Sequence, residues 1–323
     1  MSTSARASIA ACMRIAASQY GVIARAQTLA AGLSRTGLHR LLDEGAWTRV
    51  RPGVYSLWRP SGELDLWRQR LSAATLWLGP RSAVSHRASL LHWELDGMEA
   101  APLELSTEGH RRSHEAGLVI HRVASLPLAH VASHQGLPVT SVARTLVDVA
   151  TIVGPSTLEL AYESARRRGL VTGDQIEDVL RRLGGRRRGR AAIRRLLEEL
   201  PAKATESALE TLVWQLFREQ GLPLPARQLE IRDPTGAFVA RVDFAYPEAR
   251  LVIEADGRRY HSLDPDWNRD RRRQNELTRL GWTVYRVTWR DVWNRAIAVA
   301  AEIAELYEAG MARTGGAVTT TVR

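Results

Sequence analysis

The sequence predicts an α/β multi-domain chain with three parts: an N-terminal winged helix-turn-helix, an α+β middle region, and a C-terminal mixed sheet flanked by helices. Three observations predict it. At 323 residues the chain exceeds one domain's usual share. Its first 58 residues read as three short helices followed by a hairpin. Near its end, brief runs of period two alternate with helical stretches.

Residues 5–58 are the winged helix-turn-helix. Segments 8–18 and 23–31 read as helices, the second ended by Gly32. Ser34 caps a third, through Leu42, with Leu38, Leu41 and Leu42 as its buried stripe. Residues 47–50 and 54–57 make the wing hairpin around Arg51-Pro52-Gly53. The third helix exposes Arg35, Thr36, His39 and Arg40, side chains that reach base edges or phosphates, and Arg49 and Arg51 fall at the wing tip.

Residues 60–200 form the middle domain. Helices are expected at 64–78 and 81–93, strands at 103–107 and 118–123, then helices at 141–151, 156–168, 172–183 and 190–200. His86, His92, His110, His114, His121, His130 and His134 crowd the first half. None stands at ligand spacing with a carboxylate partner, so solvated or hydrogen-bonded imidazoles are expected rather than a metal cluster. The glycine- and arginine-rich stretch near 181–190 reads as a solvated linker between domains.

The C-terminal domain spans 204–310, with a disordered tail at 311–323. Thr205 is expected to cap a helix to Gln220, which places Glu206 and Glu210 on one face. Strands follow at 225–231 and 238–245, where Phe238, Ala240, Val242 and Phe244 alternate with Val239, Arg241, Asp243 and Ala245. Leu251-Val252-Ile253 resumes as a short apolar strand carrying Glu254 and, two residues on, Asp256. A tight connection would bring Asp243, Glu254 and Asp256 to one sheet end. A carboxylate beside Leu251, Val252 and Ile253 loses hydration, and like charges nearby worsen the cost. A divalent cation such as Mg²⁺ relieves both. A basic helix at 266–280, a strand at 283–287 and a closing helix at 290–309 complete the domain.

These residues carry a resemblance. Asp243 followed by Glu254-Ala255-Asp256 resembles the PD-(D/E)xK nuclease core. The string from Asp256 to His261, with Asn268-Arg269-Asp270-Arg271-Arg272 and Leu280-Gly281-Trp282 beyond, looks like very-short-patch-repair endonucleases and their relatives. The resemblance implies a restriction-endonuclease-like fold and Mg²⁺- or Mn²⁺-dependent hydrolysis of DNA. It assigns metal binding to Asp243, Glu254 and the Ala255 backbone oxygen, and a metal-shell or proton-transfer role to His261. Glu206, before Glu210, is the first-helix glutamate, and Arg269 and Arg272 clamp phosphate. The motif's lysine is replaced by Asp256, and the only lysine, Lys203, precedes the domain. Residues 5–58 are similar to the N-terminal domain of abortive-infection type IV antitoxins, which implies DNA binding or regulation.

A net charge of +10 and a pI near 10.6 favour a polyanionic partner, most simply DNA. No apolar run is long enough to span a bilayer, and no small-molecule cofactor is expected. A single cysteine, Cys12, excludes intrachain disulfides and suits a reducing cytoplasm. Two functions remain open. One is a metal-dependent endonuclease targeted by the winged helix, in defence or repair. The other is an antitoxin-like transcriptional regulator whose nuclease fold is catalytically inert.

Overall fold

The computed structural model describes residues 3–109, 115–184, 189–200, 204–257 and 267–315. The chain divides after Ala202 into two units.

The first unit opens with α1 (Thr3–Ala17), β1 (Val22–Ala24), α2 (Arg25–Ala30), α3 (Arg35–Asp43), β2 (Thr48–Arg51) and β3 (Val54–Ser56). The helix expected from residue 23 starts two residues late. Val22 and Ile23 are buried and extended, and β1 pairs antiparallel with β3 in a sheet of order β1-β3-β2. Gly53, at φ +74°, turns the wing. Ser34 Oγ accepts the Gly37 N–H at 3.0 Å, so the cap stands as expected. Leu38 and Leu41 then reach a core with Cys12, Ile23, Trp47 and Tyr55. Ser34→Ala removes that acceptor and is expected to lower stability by about 1 kcal/mol in urea unfolding; an unchanged midpoint would refute the cap's contribution.

The middle region continues with α4 (Glu63–Leu78), β4 (Ser82–Val84), α5 (His86–His92), β5 (Leu103–Thr107), β6 (Leu118–Arg122), β7 (Val131–His134) and β8 (Leu137–Thr140). Segment 81–93 is not one helix. Residues 82–84 join the sheet, and the chain turns at His86, whose φ is +52°. The mixed sheet has order β6-β5-β4-β8-β7. The β7–β8 hairpin was not foreseen in the sequence. Four helices follow: α6 (Val142–Val149), α7 (Pro155–Arg167), α8 (Gly173–Leu183) and α9 (Arg190–Glu199).

One expectation for this region is corrected. The arginine-rich stretch does not link domains. It joins α8 to α9, and Ile176, Val179 and Leu180 share one core with Ile193 and Leu196. Arg181 and Arg182 both pair with Asp178, at 3.1 and 2.6 Å, while residues 185–188 lie outside the described ones. The described histidines are largely hydrogen-bonded, one of the two states expected of them: His86 Nδ1 lies 3.0 Å from Ser85 Oγ, and His92 Nε2 lies 3.0 Å from the His134 carbonyl. His86, His92 and His130 are buried, and His86 stacks on His121 with ring centroids 3.6 Å apart. Burial, with His121 adding to it, lowers the His86 pKa to about 3. His110 and His114 lie outside the described residues.

The wing is tied to this region. Arg51 pairs with Glu115 at 2.6 Å and lies over the Trp77 ring, and Arg70 holds the same carboxylate at 3.0 Å. Gln69 Nε2 donates to the carbonyls of Tyr20 and Trp58, and Ala73 packs with Val22 and Val54.

The second unit comprises α10 (Ala208–Glu219), β9 (Ala226–Arg232), β10 (Phe238–Tyr246), β11 (Leu251–Ala255), α11 (Trp267–Arg279), β12 (Thr283–Val287), α12 (Trp289–Asn294) and α13 (Ala296–Thr314). Its sheet has order β12-β11-β10-β9, antiparallel except for the β11–β12 pair. One face packs Phe244, Tyr246, Leu251 and Ile253 against α10 and α13, and the other packs Val242, Ala245 and Val252 against Leu277 of α11. The N-cap of α10 is Ser207 rather than Thr205, because Ser207 Oγ takes the Glu210 N–H at 3.0 Å. Thr205 is buried and bonds Thr211 through their hydroxyls. The closing helix is broken at Arg295, and α13 runs to Thr314, so residues 311–314 of the expected tail are helical. Residues 316–323 lie outside the described ones.

Candidate active site

The site forms where β10 and β11 run side by side. Phe244 pairs with Ile253 across the antiparallel ladder, so one step further along the register Asp243 faces Glu254. Asp243 Oδ2 accepts the Ala255 N–H at 2.9 Å, fixing its carboxylate against the end of β11. The strict alternation expected for β10 breaks here. Ala240 and Val242 pack with Ala245 on the α11 face, while Phe244 and Tyr246 pack on the other, so the strand changes phase at Asp243.

A matching irregularity lies across the ladder. Leu229 pairs with Val242 and Arg227 with Phe244, and Gln228 between them has φ +51°. A non-glycine residue adopts that conformation at a cost and only where its surroundings hold it there. Here Gln228 Nε2 donates to Glu210 Oε2 at 3.0 Å and reaches Asp243 Oδ1 at 3.4 Å. The amide bridges a helix carboxylate to a strand carboxylate.

Glu210 is therefore the first-helix glutamate that meets Asp243. Glu206, the preferred candidate from sequence, turns to Arg241, which holds its carboxylate at 2.6 Å with both side chains substantially exposed. The Glu206 N–H instead donates to Glu210 Oε2 at 2.9 Å.

Electrostatics follow from burial. Glu254 is 9% exposed among Leu251, Val252 and Ile253. Desolvation pushes its carboxyl up to about 7; Arg273 pulls it back, and Asp243 adds to the rise. Burial likewise raises Asp243, partly offset by the Ala255 N–H, and raises Glu210, where the Glu206 N–H offsets part of the rise and the Asp243 charge adds to it. The cation nearest Glu254 is one the sequence reading missed: Arg273 of α11, whose Nη2 lies 3.0 Å from Glu254 Oε1. It puts a positive charge on the carboxylate where the motif's lysine is absent. Among the described residues, no group of three His, Cys, Asp or Glu side chains stands close enough together to hold a metal ion.

The remaining sequence candidates fall as follows. Strand β11 stops at Ala255, so the period-two argument that put Asp256 on the face of Glu254 does not reach it. Asp256 is partly buried, and its N–H donates to Val287 O at 2.8 Å. His261 and the Arg269 side chain lie outside the described residues. Arg272 is exposed on α11. In the first unit, Arg35, Thr36, His39 and Arg49 are exposed, and Arg40 faces Glu44 at 3.7 Å. Arg51 is not the free wing-tip cation expected from sequence, since Glu115 and Trp77 engage it.

A sheet end lined by buried carboxylates, beside a first-helix glutamate, is the frame of a nuclease-like α/β domain. Comparison with known proteins gives the particulars. Residues 223–307 match the family model REase_MTES_1575, and residues 13–57 match the one described as transcriptional regulator, AbiEi antitoxin. The chain thus carries an AbiEi antitoxin domain at its N-terminus and a restriction-endonuclease-like domain at its C-terminus. Two proteins of Mycobacterium tuberculosis are each 29% identical over 272 residues, covering 84% of this chain and 96% of the relative. They are the uncharacterized proteins MT2308 of strain CDC 1551 / Oshkosh and Rv2248 of strain ATCC 25618 / H37Rv. No described helix is long and apolar enough to cross a membrane.

Proposed function

We propose that the C-terminal unit hydrolyses DNA phosphodiester bonds with a divalent metal, and that the winged helix brings the chain to DNA. The observation that carries this reading is the adjacency of Asp243 and Glu254, two carboxylates that burial leaves short of positive charge. The donor set suits a hard cation. Mg²⁺ takes oxygen ligands, keeps several waters, and commonly needs only one or two carboxylates. Asp243, Glu254 and the Ala255 carbonyl oxygen would hold Mg²⁺ or Mn²⁺, whose chemistry is to polarise a phosphate and acidify a bound water.

The chain's own residues supply the rest. Burial without an ion leaves Glu254 near neutrality, so taking up the ion and losing its proton would go together. Glu210, through Gln228, holds Asp243 in place. Arg273 orients Glu254, and Arg272, exposed on the same helix, offers charge to a phosphate. His261, Arg269 and Asp256 complete the proposed set on the family resemblance. A single buried cysteine, Cys12, suits work in the cytoplasm.

One observation favours the second reading. Arg273 already neutralises part of Glu254, and Asp256 stands where the motif has lysine, the arrangement of a nuclease fold retired to regulation. Purified chain incubated with supercoiled plasmid separates the two. Nicking with Mg²⁺ or Mn²⁺, abolished by EDTA, supports the enzyme; intact plasmid at every divalent cation tried supports the regulator.

A further inference from the structure

A small cleft opens on the winged helix between the start of α2, the exposed face of α3 and the wing strand β2. Arg25, Arg35, His39 and Arg49 line it, over a floor that includes Leu38 and Tyr55. Its volume is about 90 Å³, and it is open to solvent. A group seated there meets up to four basic side chains at once, the setting for a single anion. Among the described residues, none of the three guanidinium groups makes an ion pair or a side-chain hydrogen bond. Elsewhere in this unit the arginines are mostly paired, as Arg51, Arg87, Arg144 and Arg167 are. Three like charges gathered at one cleft without a counter-ion repel each other.

We propose that this cleft seats a single backbone phosphate of duplex DNA. The inference rests on the DNA-binding half of the function proposed above and is independent of the nuclease site. It assigns Arg35 and His39 to phosphate positioning rather than to reading base edges. It adds Arg25, which sequence reasoning passed over because it precedes the recognition helix. It also replaces the wing tip with the wing's first strand, since Arg49 faces the cleft while Arg51 is held by Glu115. Contacts of this kind fix register and carry no sequence information.

The test measures binding of the full chain, in EDTA so that no cutting occurs, to two duplexes of unrelated sequence across a salt series. Arg25→Ala and Arg49→Ala are each expected to weaken both duplexes by the same factor and to reduce the slope of log affinity against log salt by about 1. Arg25→Lys, which keeps the charge, is expected to retain most of that slope. Arg195→Ala, which removes an exposed arginine already paired with Glu199, is expected to leave it unchanged. An unchanged slope in the cleft variants overturns the assignment, and so does a loss confined to one duplex, which would mean base readout. A third arm uses inorganic phosphate alone. Thermal stabilisation of wild type but not of Arg25→Ala, with duplex affinity the same in both, would overturn DNA as the source in favour of a free phosphorylated molecule. The plasmid assay does not enter these numbers, so failure of nicking and failure of the cleft are read separately.

Discussion

Glu254→Gln is expected to lower Mg²⁺-dependent plasmid nicking by on the order of 10²-fold or more while DNA affinity in EDTA stays at the wild-type level. The substitution is close to isosteric. It keeps an acceptor for Arg273, which lies 3.0 Å away, and nearly the same buried volume. What it removes is the negative charge beside Asp243 that would hold the ion. A loss of nicking with unchanged affinity therefore locates the defect in chemistry. Equal nicking by the variant would trace the activity to a contaminant and leave the regulator reading standing. Because Glu254 holds a proton or the ion but not both, the Mg²⁺ concentration needed for half-maximal nicking should fall as pH rises through about 7, and a requirement that does not change with pH would remove Glu254 from the ion's shell.

The same variant is expected to be more stable than wild type in metal-free buffer at pH 8. The sign follows from linkage. Burial raises the Glu254 carboxyl from its ordinary 4.5 to about 7, so the folded state holds its proton more tightly than the unfolded state. Below pH 4.5 both states are protonated and the residue costs nothing. Between 4.5 and 7 the unfolded chain ionises first and stability falls; above 7 the full penalty applies. The rise amounts to on the order of 3 kcal/mol at about 1.4 kcal/mol per pH unit. Removing it should lift the melting transition of the second unit by on the order of 10 °C at pH 8 and hardly at all at pH 4. Scanning fluorimetry at both values checks the difference. No gain at pH 8 would mean that Arg273 alone compensates the charge. Added Mg²⁺ should narrow the gap, because the ion stabilises only the form that binds it.

Parts of this site were legible from residue order. The short apolar run at 251–253 with Glu254 at its end fixes a buried carboxylate on an inner strand, and the break at Pro247 places Asp243 opposite it. The family resemblance added the pairing of roles. The rest depended on features that sequence periodicity does not carry. Which glutamate of α10 faces the sheet turned on a cap two residues later than expected: Ser207 bonds the Glu210 N–H, the helix starts at Ala208, and Glu206 is left outside it. Gln228 acquires its role through a left-handed backbone at one strand position, which nothing in Arg227-Gln228-Leu229 announces. Arg273 is one arginine among several on a basic helix, and only the helix's rotation against the sheet selects it. In the first unit, Ser34 and the leucine stripe of α3 were plain. The strand at 22–24 was not, because a three-residue strand is too short to display a period.

The tie between the wing and the middle region bears on how this protein can be dissected. The antitoxin match ends at residue 57, yet Arg51 needs Glu115, the Tyr20 and Trp58 carbonyls need Gln69, and Val22 and Val54 need Ala73. A fragment cut at the edge of that match would strand a cation and bare an apolar strip. The smallest piece that folds as it does in the whole chain must run on past residue 115, so homology and folding draw their borders in different places.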